Sequence, residues 1–218
     1  MSKRVAVILS GCGVQDGAEI HESVLTLLHL AQVGAVARCY APNVAQTRVM
    51  NHLSGEAETV SRNALVEAAR IARGEIADLA LLTVHEADAV IFPGGFGAAL
   101  NLCSFGTAGV QCTVHPEVER VVRAFHAARK PIGAICIAPA VIAKVLGAEH
   151  PRLTIGTDPK TAQQLEAMGA VHVATPVDQI CVDDTHRVVT TPAYMLATTI
   201  AEADAGISRL VTAIVRWA

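Results

Sequence analysis

Short apolar runs alternate with stretches of helical periodicity along most of this chain. Residues 5–9, 89–92 and 132–135 are almost wholly apolar, as expected of strands buried on both faces of a parallel sheet. Between these runs, residues 20–33 and 115–128 carry apolar side chains three and four positions apart, which is typical of amphipathic helices. The alternation predicts a doubly wound α/β sandwich, with a mostly parallel sheet and helices on both faces.

Individual helices have recognisable faces and ends. In the first helix we expect one buried face, formed by Ile20, Val24, Leu27, Leu28 and Ala31, with Gly34 as its stop. In the helix at 115–128, Pro116 fits the first turn and four apolar residues share a face: Val118, Val121, Val122 and Phe125. A helix is also predicted after Pro139, and a final helix from about 194 to 216.

The segment 41–82 interrupts the rhythm after a second strand at 36–40. It contains polar stretches and a predicted helix near 57–72. We interpret it as an elaborated connection inside one domain that spans 1–218, and expect it to shape the substrate pocket. Further strands are predicted near 153–155, 179–182 and 187–190, with a helix near 161–168.

Composition narrows the classes of function. Of the 218 residues 52% are hydrophobic, and the net charge of −3 comes without a basic cluster, so nothing indicates nucleic acid or a membrane surface as a partner. No apolar run is long enough to cross a bilayer, and the nine histidines show no metal-ligand spacing. The short apolar run at 5–9 is broken by Gly11, so it indicates a strand rather than a signal peptide. The six scattered cysteines are then best interpreted as reduced thiols of a cytoplasmic protein.

Cys136 is the leading candidate for a nucleophile. It lies where a predicted strand meets a predicted helix, and the free N–H groups of a helix N-terminus favour a thiolate over a thiol. A cysteine is more usually a small buried apolar residue, and Cys12, in a glycine turn, is a rival nucleophile. The other four cysteines are expected to be structural.

Three glycine-rich turns surround this position in the predicted fold. They lie at 10–13, 93–97 and 133–136, each after or within a predicted parallel strand, so they should open on one rim of the sheet. Glu22, one turn into the first helix, should face the same rim. Beside a thiolate the pKa of this carboxyl group should rise, so that it holds a proton at neutral pH and can transfer it to a substrate. An ordinary solvated helix acid is the alternative.

Several longer motifs carry a resemblance to a known family. They are ILSGCGV at 8–14, DGAEIHE at 16–22, NHLSGE at 51–56, PGGFGAA at 93–99, CIAPA at 136–140, LTIGTD at 153–158 and TTPAYML at 190–196. Together they make the chain similar to the ThiJ/PfpI branch of the class I glutamine-amidotransferase-like superfamily, and more narrowly to ElbB-type glyoxalases.

The resemblance implies a flavodoxin-like three-layer sandwich that is commonly a homodimer. It also implies Cys136 as the nucleophile and Glu22 as its partner acid, with Gly94, Gly95 and Ile137 forming the oxyanion and substrate-binding turn. The proteolytic members have a histidine directly after the cysteine, whereas this chain has Ile137. No histidine matches the amidotransferase triad either, which argues against peptidase and glutaminase activity.

The resulting hypothesis is a cofactor-independent glyoxalase acting on a small dicarbonyl substrate, glyoxal or methylglyoxal. A redox-sensing or chaperone-like protein that uses the same thiolate is the alternative. A dinucleotide-binding oxidoreductase is disfavoured, because Cys39-Tyr40-Ala41 stands where an acidic residue should hold the ribose.

Overall fold

The computed structural model describes residues 2–218. The strands are β1 (Arg4–Ile8), β2 (Val36–Ala41), β3 (Val49–Asn51), β4 (Glu56–Glu58), β5 (Ile76–Asp78), β6 (Ala89–Phe92), β7 (Ile132–Ile135), β8 (Arg152–Leu153), β9 (Val171–His172), β10 (Cys181–Asp183) and β11 (Val188–Thr191). The helices are α1 (Ile20–Gln32), α2 (Ala64–Ile71), α3 (Phe96–Leu100), α4 (Phe105–Ala108), α5 (Pro116–Ala127), α6 (Pro139–Leu146), α7 (Pro159–Ala167) and α8 (Ile200–Trp217).

A seven-stranded sheet in the order β10-β11-β7-β6-β1-β2-β5 forms the middle layer. Its strands pair in parallel, except for the antiparallel edge pair β10–β11. One face packs against α1, α2 and α8, and the other against α3, α5, α6 and α7. The predicted α/β sandwich, with a mostly parallel sheet and helices on both faces, is confirmed.

The buried face of α1 differs from the predicted one. Ile20, Val24 and Leu28 are 43%, 47% and 45% exposed, whereas the buried positions include Glu22, Ser23 and Thr26. The polar side chains can be buried because the hydroxyl groups of Ser23 and Thr26 each donate to a backbone oxygen one turn earlier. The prediction of a face through Ile20, Val24 and Leu28 was wrong, because apolar character alone does not show which side of a helix meets the sheet.

The segment 41–82 is an elaborated connection with structure of its own. β3 and β4 form an antiparallel hairpin, and β5 adds to the edge of the main sheet beside β2. The helix predicted near 57–72 begins only at Ala64, where the Asn63 side chain caps the first free N–H groups. The final helix likewise begins later than predicted, at Ile200, behind a capping box formed by Thr199 and Glu202.

The three glycine-rich turns meet on one rim, as predicted, because β7, β6 and β1 are neighbours in the sheet. The turn at 93–97 is hydrogen-bonded directly to the loop that precedes α1. The Glu19 N–H donates to Gly94 O at 3.0 Å, and the Gly97 N–H donates to Gly17 O at 2.9 Å. The loop before α1 is therefore fixed against the loop after β6, which brings the start of α1 to the end of β7.

Candidate active site

Cys136 lies at a sharp turn between β7 and α6. Its φ is +60°, in the left-handed region that non-glycine residues rarely adopt. Such a conformation costs on the order of 1–3 kcal/mol and persists only where the surroundings enforce it. The Cys136 N–H donates to Thr191 O at 3.0 Å, which fixes the turn to β11. The predicted strand-to-helix position of this cysteine is therefore observed, with the strained backbone of a nucleophile elbow.

Glu22 lies in the first turn of α1 and is completely buried. Its carboxylate accepts a hydrogen bond at Oε2 from the Gly94 N–H at 2.9 Å, and at Oε1 from the Tyr194 N–H at 3.2 Å. The carboxyl group also lies beside the Cys136 thiol, close enough for each to shift the pKa of the other. The Glu19 side chain caps the helix by accepting from the Glu22 N–H at 2.7 Å. Glu22 is therefore not a solvated helix acid but a group oriented from three sides toward the cysteine.

Burial dominates the electrostatics of Glu22. It raises the pKa of this carboxyl group to about 8, with Glu19 adding to the rise and the N–H groups of Tyr194 and Gly94 opposing it. A protonated Glu22 at neutral pH was predicted, and the direction agrees. The main cause is different, however, because it is the loss of water around the carboxyl group rather than a neighbouring thiolate.

Cys136 departs from the prediction of a ready thiolate. Burial, and then the Glu22 carboxylate, raise the pKa of this thiol well above its ordinary value. The N–H groups of Gly95 and Ile137 act in the opposite direction, because they donate to the sulfur. The helix N-terminus thus favours the thiolate as expected, but desolvation outweighs it. Charge on the sulfur depends on Glu22 taking up the thiol proton.

The glycine turn after β6 has two roles rather than one. The Gly95 N–H points at the Cys136 sulfur together with that of Ile137, as expected of donors to an oxyanion formed at this position. The Gly94 N–H is instead committed to Glu22. The prediction that Gly94 belongs to the oxyanion turn was therefore wrong in its role: its backbone orients the acid.

Both glycines are required by close packing. A Cβ on Gly94 would lie 2.5 Å from Cys136 Cβ and 2.7 Å from Glu22 Oε2. Gly95 has a φ of +89°, and its Cβ would lie 2.4 Å from the Glu19 backbone nitrogen. Glycine at 94 therefore lets the acid and the thiol approach each other, and glycine at 95 lets the two loops pack.

A cavity of about 430 Å³ opens at Cys136. Most of its wall is apolar, and the lining residues are Val14, Glu19, Gly95, Phe96, Ala99, Phe105, Gly106, Cys136, Ile137, Thr161, Tyr194 and Met195. The expectation that segment 41–82 shapes this pocket was wrong, since it supplies no lining residue. That segment supports the wall from behind: the Arg48 guanidinium lies 5.1 Å from the centroid of the Phe96 ring.

Some residues of the site were missed or underrated. No role of its own was predicted for Tyr194 from the sequence. In the structure its backbone N–H donates to the Glu22 carboxylate, and its hydroxyl lies 2.7 Å from His21 Nδ1. Asn101 is buried, and its side-chain amide donates to Ser10 O at 2.8 Å and to Asp16 O at 2.9 Å. A buried asparagine between two glycine-rich turns is a signal that could have been noticed.

The rival candidates lie elsewhere. Cys12 is partly exposed, does not line the cavity, and has its pKa raised by burial. The His115 side chain accepts from the Glu117 N–H and so caps the start of α5. Within residues 2–218, no three His, Cys, Asp or Glu side chains are grouped as metal ligands would be. None of the helices in that part of the chain is both long and apolar enough to span a membrane.

Comparison with known proteins identifies the family. The model described as DJ-1/PfpI family matches residues 48–202. The chain belongs to the DJ-1/PfpI family. Two relatives of this DJ-1/PfpI protein are 48% identical to it over 219 residues, covering 95% of the chain and 81% of each relative. They are the rat "ES1 protein homolog, mitochondrial" and the human "Glutamine amidotransferase-like class 1 domain-containing protein 3, mitochondrial".

A solved structure supports the same membership. The "isoprenoid biosynthesis protein with amidotransferase-like domain" from Ehrlichia chaffeensis superposes with a TM-score of 0.92, at 37% identity, over 99% of this chain and 100% of that one. It shares the flavodoxin-like three-layer fold that the sequence resemblance implied.

The names of the relatives correct one prediction. Both the rat and the human protein are mitochondrial, so the predicted cytoplasmic location was wrong. The prediction depended on unpaired cysteines, and reduced thiols only exclude an oxidising compartment. They do not distinguish one reducing compartment from another.

Proposed function

We propose that this DJ-1/PfpI protein is a cofactor-independent glyoxalase of the ElbB type, which converts glyoxal or methylglyoxal into the 2-hydroxy acid. The observation that carries the proposal is the position of the buried Glu22 directly beside Cys136, which lines the cavity. A nucleophile beside an acid that exchanges protons near neutral pH is what an intramolecular redox rearrangement of a dicarbonyl requires. The subfamily assignment is supported by the likeness to the Ehrlichia protein.

The first step is addition of the thiol to one aldehyde carbon. In the ionised form of the pair, the Glu22 carboxylate takes the Cys136 proton as the sulfur bonds to the carbon, and the carbonyl oxygen becomes an alkoxide. The N–H groups of Gly95 and Ile137, which face the sulfur, would donate to that alkoxide. One such donor contributes about 3–4 kcal/mol in enzymes of related chemistry. Proton transfer from Glu22 to the oxygen then gives a neutral hemithioacetal.

The second step moves a proton between the two carbons. The Glu22 carboxylate takes the C–H proton from the carbon bonded to sulfur and returns it to the neighbouring carbon, through an enediol. The product is a thioester of the 2-hydroxy acid. Water cleaves the carbon–sulfur bond, which releases glycolate or lactate and restores the thiol. No electrons leave the substrate, since one carbon is oxidised while its neighbour is reduced.

The experiment is turnover of glyoxal and methylglyoxal without glutathione or added metal, with formation of the hydroxy acid measured by chromatography. Cys136→Ala and Glu22→Gln should each abolish it, whereas Cys12→Ala should retain it, because Cys12 does not line the cavity. Unchanged turnover in the Cys136→Ala protein would refute the proposal.

The alternative is a redox-sensing protein that uses the same pair. It is less well supported, because burial raises the pKa of Cys136 and so disfavours spontaneous reaction with peroxide. A cavity of about 430 Å³ is also much larger than a peroxide needs. A protein without turnover but with stoichiometric, reversible oxidation of Cys136 would reverse this ranking.

We also propose that the protein is a homodimer. The exposed apolar side chains of Ile20, Val24 and Leu28 follow one another on consecutive turns of α1 and offer a self-complementary surface. The mass in solution, measured by light scattering, tests this proposal. Val24→Asp should lower that mass to the monomer's, whereas the exposed Glu56→Gln should not.

A further inference from the structure

Two cysteines that the site does not use lie against each other on the far side of the cavity wall. Cys103 follows α3 and Cys112 precedes α5, and both are almost fully buried, at 5% and 1% exposure. Their thiols lie close enough for each to shift the pKa of the other. Cys103 Sγ is also 3.3 Å from Ala98 O, and Cys112 Sγ is 3.8 Å from Met168 Sδ.

The backbone around the two cysteines is already paired. Cys103 forms an antiparallel bridge with Val114, so Cys112 lies diagonally opposite on the same side of the pair. Next to the bridge, the Ser104 N–H donates to Thr113 O at 2.9 Å. The two thiols are therefore held together by the fold itself rather than by a chance contact of mobile loops.

Only one of the two cysteines lines a cavity. Cys112 contributes to the wall of a second cavity of about 540 Å³ together with Lys144, whereas Cys103 does not line it. The neighbouring Cys103 and the Lys144 charge lower the pKa of Cys112, and the same contact raises the pKa of Cys103. Because Cys112 is the cysteine that lines the cavity, we take it as the attacking thiol and Cys103 as its partner.

We propose that Cys103 and Cys112 form a redox-active dithiol, a site separate from Cys136, whose oxidation to a disulfide fixes the wall of the main cavity. The oxidant would be a peroxide small enough to enter the second cavity. The Cys112 thiolate attacks one peroxide oxygen, the O–O bond breaks, and Cys112 becomes a sulfenic acid as hydroxide leaves. Cys103 then attacks that sulfur and displaces water, so two thiols and one hydrogen peroxide yield one disulfide and two waters.

The consequence for the main cavity follows from what the two cysteines enclose. Residues 104–111 lie between them and include α4, whose Phe105 and Gly106 line the cavity that opens at Cys136. A disulfide would join the two ends of this short segment covalently and limit its opening. The redox state of this dithiol would thus set the freedom of one wall of the pocket, whatever substrate the pocket takes.

The test uses the position of the tryptic sites. The fragment from Gly74 to Arg120 contains Cys103 and Cys112 and no other cysteine. After brief treatment of the full chain with a small excess of hydrogen peroxide, this fragment should lose two hydrogen atoms by mass, and dithiothreitol should restore them. If the fragment keeps both free thiols while Cys136 or Cys12 is oxidised, the proposal is wrong.

Variants separate the two roles. Cys103→Ser should stop the reaction at a Cys112 sulfenic acid, which dimedone traps, whereas Cys112→Ser should leave Cys103 unreacted. Cys39→Ser is the matched control, because Cys39 lies in β2 outside this pair. In that variant the fragment with Cys103 and Cys112 should oxidise as it does in the wild type. Sulfinate on Cys112 of the wild type without a disulfide would overturn the assignment of Cys103 as partner.

Hydrogen exchange tests the effect on the wall without using activity. Amides of residues 104–111 should exchange several-fold more slowly in the oxidised protein, and Cys103→Ser should remove that difference. Equal exchange in the two redox states would overturn the link to the cavity. Failure of glyoxal turnover would leave both results unaffected, so the two proposals fail independently.

Discussion

The Cys136 thiol and the Glu22 carboxyl group lie side by side in the interior, and burial raises the pKa of both. Near neutral pH the pair is therefore mostly uncharged. Loss of one proton leaves a single negative charge that the two groups share, and the titration belongs to the pair rather than to either residue. That charge lies mainly on Glu22, whose pKa is the lower of the two, and the N–H groups of Gly95 and Ile137 favour its transfer to the sulfur.

The alkylation rate of Cys136 should follow this shared titration. Because the first proton leaves the pair at about pH 8, reaction with iodoacetamide should rise steeply through that pH. Glu22→Gln removes the proton acceptor, so the step near pH 8 should disappear and the rate at pH 8 should fall about tenfold or more. The rate is measured by mass spectrometry of the fragment that contains Cys136. A step that persists in the Gln variant would show that Glu22 does not take the proton.

The stability of the protein should depend on the charge of Glu22. Its pKa rises from 4.5 to about 8 on folding, so between these values the folded state binds more protons than the unfolded state. The stabilisation is complete below pH 4.5 and is lost as pH rises through about 8. The free energy of unfolding of Glu22→Gln relative to the wild type should therefore increase by a few kcal/mol over this range. Urea titrations at several pH values measure it, and the exposed Glu56→Gln should show no such trend.

Gly94→Ala should lower both stability and activity, although it adds only one methyl group. Its Cβ would lie 2.5 Å from Cys136 Cβ, so the acid and the thiol must separate. We expect a loss of stability of about 1–3 kcal/mol and at least a tenfold loss of glyoxal turnover. Gly55→Ala is the control, because nothing lies within 4 Å of its Cβ, and its φ of +75° should cost about 1 kcal/mol without affecting turnover. Wild-type activity in Gly94→Ala would contradict the packing described above.

Asn101→Asp should destabilise the loops that carry the site. The buried amide donates to Ser10 O and Asp16 O while accepting from the Thr47 N–H. A carboxylate of the same shape would face two carbonyl oxygens with no proton to donate, which should cost about 3 kcal/mol or more. The exposed Asn43→Asp keeps its acceptor oxygen and should be nearly neutral. Thermal unfolding of the two variants provides the comparison.

The layers of the fold could be predicted from the sequence because each buried strand is nearly all apolar and each glycine-rich turn marks a strand end. The meeting of Cys136 with Glu22 was predicted in the same way, by placing both on one rim. Periodicity failed at α1, where the apolar stripe through Val24 faces outward and Thr26 faces the core. The Thr26 hydroxyl can be buried because it donates to a backbone oxygen of its own helix. The number and spacing of apolar residues alone cannot show this.

Details of the site depended on hydrogen bonds between distant segments. The Gly94 N–H donates to Glu22, whereas the Gly95 N–H acts on the Cys136 sulfur. Two adjacent glycines look alike in a sequence, so their different roles could not be predicted. The role of Tyr194 depends on its backbone rather than its ring. At Cys136 the helix N-terminus lowers the pKa of the thiol and burial raises it. Only the folded structure shows that burial is the larger effect.

The hydrogen bond from the Tyr194 N–H to Glu22 has a consequence for the order of events during synthesis. Tyr194 lies 172 residues after Glu22 in the chain, so it is added to the nascent chain long after Glu22 and Cys136. Until then Glu22 lacks one of its two backbone donors, and Cys136 lacks the β11 carbonyl that holds its turn. In the nascent chain Cys136 is therefore an ordinary thiol at first, and the paired Cys136 and Glu22 exist only once the last strand of the sheet has docked.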